Sequence, residues 1–108
     1  MASSANAGEV VGQSHATGTF TSAESKADET VTIGFNPYLV IGLMNYEATN
    51  CDFLISVNGA TSSLFLTGST GVVTTPANDV TYGGDGTITI GDESQTNDGV
   101  NYWIAFRQ

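Results

Sequence analysis

The side chains able to carry reaction chemistry are few: one histidine, His15, one cysteine, Cys51, and eleven carboxylates. A histidine acting as general base needs a partner that orients it and a site that excludes water. His15 lies instead in a small-residue, polar stretch far in sequence from the acidic clusters. A nucleophilic cysteine needs a base or a positive charge nearby to lower its pKa. Cys51 has Asp52 beside it, so it reads as a structural thiol. The run Gly91-Asp92-Glu93-Ser94-Gln95-Thr96-Asn97-Asp98-Gly99 gathers carboxylates and side-chain amides, the oxygen donors that calcium prefers. Its spacing differs from the helix-loop-helix calcium motif, and it reads as a solvated turn. Gly83-Gly84-Asp85-Gly86 is similar to the glycine-rich calcium β-roll, but the unit occurs once and Ile88 stands where that repeat wants Asp, so a plain turn is expected. No phosphate-binding glycine loop, nucleophile elbow or paired zinc-ligand spacing occurs. An enzyme of this inventory would have to work with carboxylates alone, as glycosidases do. The expectation is a chain with no catalytic residues, no metal and no cofactor.

Composition narrows the partners. Lys26 and Arg107 are the only basic residues beside those eleven acids, for a net charge of -9. Attraction to phosphates or to an anionic lipid face is therefore disfavoured, and neither nucleic acid nor membrane is an expected partner. No apolar run approaches a membrane span, and residues 1–8 lack the basic start and apolar core of a secretory signal. A soluble chain, not obviously exported, is expected. With one cysteine, no disulfide can form within the chain. The 108 residues suffice for one domain, and a hydrophobic content of 40% is that of a folding chain.

The elements that would position these groups are strands. Residues 1–16 are small and polar, with Val10 and Val11 as the only bulky aliphatics, and are read as an N-terminal arm that something outside the domain must order. Residues 17–108 form the domain. Short β-branched and aromatic runs then alternate with Gly, Asn, Asp, Ser and Pro clusters, at residues 17–22, 31–35, 38–46, 53–57, 63–66, 71–75, 79–82, 87–90 and 100–106. The nearly continuous apolar run at 38–46 reads as a central strand buried on both faces. Val100, Tyr102, Ile104 and Phe106 alternate with Trp103 and Ala105, and such two-sided apolarity again asks for an interior place. Asn58-Gly59 suits a two-residue type I′ hairpin turn. The class expected is all-β, an antiparallel β-sandwich or small β-barrel of about eight strands with an extended N-terminal arm.

The aromatics are the remaining candidates for function. Tyr38, Tyr46, Tyr82, Tyr102 and Trp103 could line a sugar-binding or protein-binding face, but their strand positions favour packing, in the core or against another subunit. The cost of ordering a backbone with so modest an apolar core makes an oligomer credible.

Three stretches together resemble a small β-rich module of tailed-bacteriophage structural proteins. Gly34-Phe35-Asn36-Pro37-Tyr38-Leu39-Val40-Ile41 looks like its turn and buried strand. Gly86-Thr87-Ile88-Thr89-Ile90-Gly91-Asp92 resembles its penultimate strand, and Gly99-Val100-Asn101-Tyr102-Trp103-Ile104-Ala105-Phe106-Arg107 its closing strand. Residues 47–80 depart from the module, being shorter and without its usual tryptophan. The resemblance implies a virion component with no catalytic residues to carry over. A compact domain with a short arm fits a head decoration, or cement, protein on the outer capsid surface, assembled in the host cytoplasm. Its partners would be the major capsid protein and further copies of itself, a trimer being the form that shares a symmetry axis. Glu9, Val10, Val11, His15 and Phe20 would then contact the capsid, by strand addition or by filling a groove. Tyr38, Tyr46, Tyr102 and Trp103 would pack between subunits. The alternative is a tail-associated or receptor-binding subunit, one form of which would bind carbohydrate.

Overall fold

The computed structural model describes residues 14–108, and every structural statement below concerns those residues. Nine strands are present: β1 (His15–Thr21), β2 (Glu29–Thr32), β3 (Leu39–Tyr46), β4 (Asp52–Val57), β5 (Leu64–Thr67), β6 (Val72–Thr74), β7 (Val80–Tyr82), β8 (Thr87–Ile90) and β9 (Val100–Phe106). They form two antiparallel sheets, one of six strands in the order β1-β9-β3-β4-β5-β6 and one of three in the order β2-β8-β7. The all-β expectation holds in its sandwich form. The barrel alternative does not, because the sheets do not close on one another.

The alternation of side chains along each strand decides what the sheets enclose. On the inward face of the six-stranded sheet Val40, Met44, Leu54, Trp103 and Ala105 are buried, and they meet Val80, Ile88 and Ile90 of the small sheet. Ile33 and Phe35 complete this core from the segment that follows β2. Gly18 lies over the Trp103 indole, where a Cβ would overlap the ring, so β1 can pass close to β9 only with glycine there.

Several sequence expectations shift. β2 ends at Thr32, before Ile33 and Phe35, because Gly34 takes φ +97 and turns the chain. The residues keep their place in the core but leave the sheet. β3 and β9 are interior strands as expected, with β9 between β1 and β3 and β3 between β9 and β4. Neither is buried on both faces, since no described element covers the outward side of the large sheet. The hairpin after β4 is longer than two residues, for β5 begins only at Leu64. At its start Gly59 has φ +91 whereas Asn58 is not left-handed, which excludes type I′. Asn58 is held otherwise: its amide donates to the Tyr38 carbonyl at 2.8 Å and its side chain to the Pro37 carbonyl at 3.4 Å.

Candidate functional site

The acidic segment after β8 is anchored, contrary to its reading as a solvated turn. It begins with a short 3-10 turn (Asp92–Ser94), followed by Gln95, and both Ser94 and Gln95 are buried. Gln95 Nε2 reaches the carbonyls of Ala27, Ile90 and Gly91 at 2.9, 3.1 and 3.2 Å. Its Oε1 accepts from Ser22 Oγ at 2.7 Å, and that hydroxyl accepts in turn from Asn101 Nδ2 at 2.9 Å. A bulge in β3 opposite β9 puts Asn45 at φ 56, where its Oδ1 receives the Thr96 amide at 2.8 Å and its Nδ2 donates to Asp52 at 2.7 Å. Buried amide side chains thus carry out the backbone pairing that a sheet edge would otherwise provide.

Two carboxylates from outside the segment, Asp79 and Asp28, hold its backbone. Asp79 Oδ2 accepts from the Ser94 amide and hydroxyl at 2.8 and 2.7 Å. Burial nevertheless raises its pKa above the ordinary aspartate value, with Asp92 and Glu93 adding repulsion and the two Ser94 bonds opposing. Asp28 receives the Asp92 amide at 3.0 Å. Between β7 and β8 the Thr87 hydroxyl, then its amide, hold the Asp85 carboxyl below the usual range, and the segment is a plain turn as expected. Among the described residues no three of His, Cys, Asp and Glu converge as a set of metal ligands. Burial raises the Tyr82 phenol, which donates to the Ser56 carbonyl at 3.0 Å; this tyrosine braces the two sheets.

The outward face of the six-stranded sheet is the feature that local bonding does not explain. Register arranges it in transverse rows. One row runs Thr17, Ile104, Ile41, Ile55, Leu64; the next runs Thr19, Tyr102, Leu43, Phe53, Leu66, Val73. A third carries His15, Phe106, Leu39 and Val57. No Asp, Glu, Lys or Arg occupies an outward position of these rows; the described charged residues stand in connections, on β2, at the inward side of β4 or after β9. Phe53, Ile55, Val57, Leu64, Val73 and Tyr102 retain 37 to 56% of their exposure. Between β1, β9 and β3 the face dips into a recess of about 270 Å³, lined by Thr17, Thr19, Ile41, Leu43, Tyr102 and Ile104, with Gly18 and Trp103 behind. A contiguous uncharged apolar surface on this scale is unusual for a protein side left in water.

The residues singled out from sequence divide accordingly. Glu9, Val10 and Val11 lie outside the described residues. His15 and Ala16, assigned to the arm, belong to β1 and pair with Phe106 and Ala105. The domain therefore starts earlier than residue 17, because β9 is long enough to template the extra pairs. His15 is exposed on the outward face, 3.2 Å from the Ser14 hydroxyl and 6.4 Å, ring to ring, from Phe106. Phe20 points inward and is half-buried against the core, so it is not displayed by an arm. Trp103 likewise packs in the chain's own core and only backs the recess in the outward face. Tyr38, Tyr46 and Tyr102 are exposed, and Tyr46 meets Tyr102 edge to face with ring centroids 5.5 Å apart. What the sequence reading missed is the aliphatic centre of this face, Ile41, Ile55 and Leu64. Its signal was present, since β3 and β4 are apolar at positions of both parities.

No family model, curated protein or solved structure matches the chain.

Proposed function

We propose that the chain is a structural subunit that acts by being incorporated into a larger assembly, and that it serves as a head decoration protein of a tailed bacteriophage. In this role it sits on the outer surface of the assembled shell and ties neighbouring major capsid protein subunits together, as part of a homo-oligomer. The uncharged outward face of the six-stranded sheet carries the reading. A chain of net charge -9 that keeps every described Asp, Glu, Lys and Arg off one broad face is suited to having that face covered. The three sequence stretches that resemble the phage module supply the kind of assembly. The leading segment enters the domain through β1, an edge strand of the large sheet, where further backbone pairing with a shell subunit is open to it.

The test is co-sedimentation of the full chain with assembled, undecorated phage shells. The expected result is saturable binding with a rise in the shell's melting temperature. Removing residues 1–13, which leaves β1 whole, should abolish binding without changing Trp103 emission. Shells that remain bare overturn the reading. Recognition of purified tails or of host glycans by the same protein would instead favour a tail-associated, receptor-binding subunit.

A further inference from the structure

We propose that the outward face of the six-stranded sheet is a self-recognition surface, which stacks on the same face of a second copy of this chain about a two-fold axis running along the strands between β3 and β4. The inference goes beyond the decoration reading and does not require it, because it concerns the free protein.

Three observations lead to the second copy as occupant. The first is size. Six apolar side chains of the rows keep 37 to 56% of their exposure, and the half-buried Leu39, Ile41, Leu43, Leu66, Ile104 and Phe106 join them into one surface across the sheet, the breadth that the ~800 Å² per partner of a standard stable interface needs. The second is shape. The β1-β9-β3 half of the sheet holds the recess, whereas Phe53, Ile55, Val57, Leu64 and Val73 stand exposed on the β4-β5-β6 half. An axis along the strands midway between the halves lays each half over the other and maps each transverse row onto itself. Ile41 of one copy then meets Ile55 of the other, and Leu64 comes over the recess beside Thr17 and Ile104. Two such contacts form at once, as an isologous interface demands. The third is charge. Neither copy brings an Asp, Glu, Lys or Arg into the contact, since the described acids lie in connections, on β2 or at the inward side of β4, so no carboxylate needs to be desolvated. A partner chosen by opposite charge would find no complement here. Aligned sheet packing, about 10 Å between sheets with strands within roughly 30°, accommodates this arrangement.

Sedimentation equilibrium of the full chain tests the proposal. The expected result is a dimer at micromolar concentration whose association tightens with added salt, since salt screens the repulsion between two acidic chains. Ile55→Asp and Leu64→Asp should each raise the dissociation constant roughly tenfold or more while Trp103 emission stays that of a buried indole. A chain monomeric up to about 100 µM, a trimer, or a dimer indifferent to both substitutions overturns the proposal. So does a monomer that associates only after residues 1–13 are removed, which would make the chain's own leading segment the cover. A second experiment does not depend on how the charged variants fold. In a Cys51→Ser background, Thr17→Cys with Leu64→Cys is treated with a short bis-maleimide. Within one chain these sites are four strand spacings apart, about 19 Å, too far for such a linker, whereas the stacked pair brings them together. Covalent dimer is expected, and exclusively monomeric product overturns the proposal. Shell binding is read separately, so either conclusion can fail while the other stands.

Discussion

The two faces of the six-stranded sheet are made of similar residues and have different fates. Inward, Val40, Met44, Leu54 and Trp103 are sealed beneath the three-stranded sheet. Outward, one residue along the same strands, Ile41, Leu43, Phe53, Ile55 and Tyr102 remain partly accessible. On the inward side also lie the buried amide and hydroxyl groups of Ser22, Ser56, Gln95 and Asn101, each paired. Apolarity by itself thus does not identify a core. A face becomes a core when another element of the chain meets it. A face that is apolar without that cover is free to meet a different molecule.

Substitutions in adjacent residues of β4 should expose this contrast most strongly. Leu54→Ala, which opens a cavity in the sealed layer, should cost about 2–5 kcal/mol in denaturant unfolding. An equal loss for Ile55→Ala in dilute, dissociated protein would break the comparison, because the outward neighbour should cost less than about 1 kcal/mol there. Next in size is Gln95→Ala, expected to cost about 1–3 kcal/mol by stranding the Ser22 hydroxyl and the carbonyls around it, with amide exchange accelerating along residues 91–99. A variant of unchanged stability would mean that solvent already serves those groups.

The smallest effect concerns pH. The folded state raises the Asp79 pKa above its unfolded value, so the folded chain binds that proton more readily than the unfolded one. Above its folded pKa the ionised carboxylate therefore costs stability, and that cost is relieved as pH falls through the folded value towards the ordinary aspartate value. Wild type should gain from this group on acidification from neutral to about pH 4, and Asp79→Asn should lack that part of the slope whatever its absolute stability. Parallel pH profiles for the two proteins, measured by thermal unfolding, would show that Asp79 does not couple to folding.

Much of this architecture was legible in the residues. The period-two runs located the strands, and the unbroken apolar stretch at 38–46 with the alternating aromatic stretch at 100–106 correctly marked the two interior neighbours β3 and β9. Asn45 and Gln95 were not legible as the ties that hold the 91–99 segment. The partners that make these ties lie far along the chain, Thr96 at 51 positions from Asn45 and Ser22 at 73 from Gln95. Asn58 was misread for the same reason. A local turn preference lost to a carbonyl of Tyr38 that only the folded pairing of β3 with β4 presents.

The order of residues alone determined that this chain makes strands, that it is strongly acidic, and that it has one histidine and one cysteine with which to do chemistry. These are properties of local stereochemistry and of composition, and they need no partner in space. Tertiary structure alone decided which of two apolar parities became the interior. The three-stranded sheet can lie against only one side of the larger one, and a strand with hydrophobic residues on both sides carries no local mark of which side will be covered.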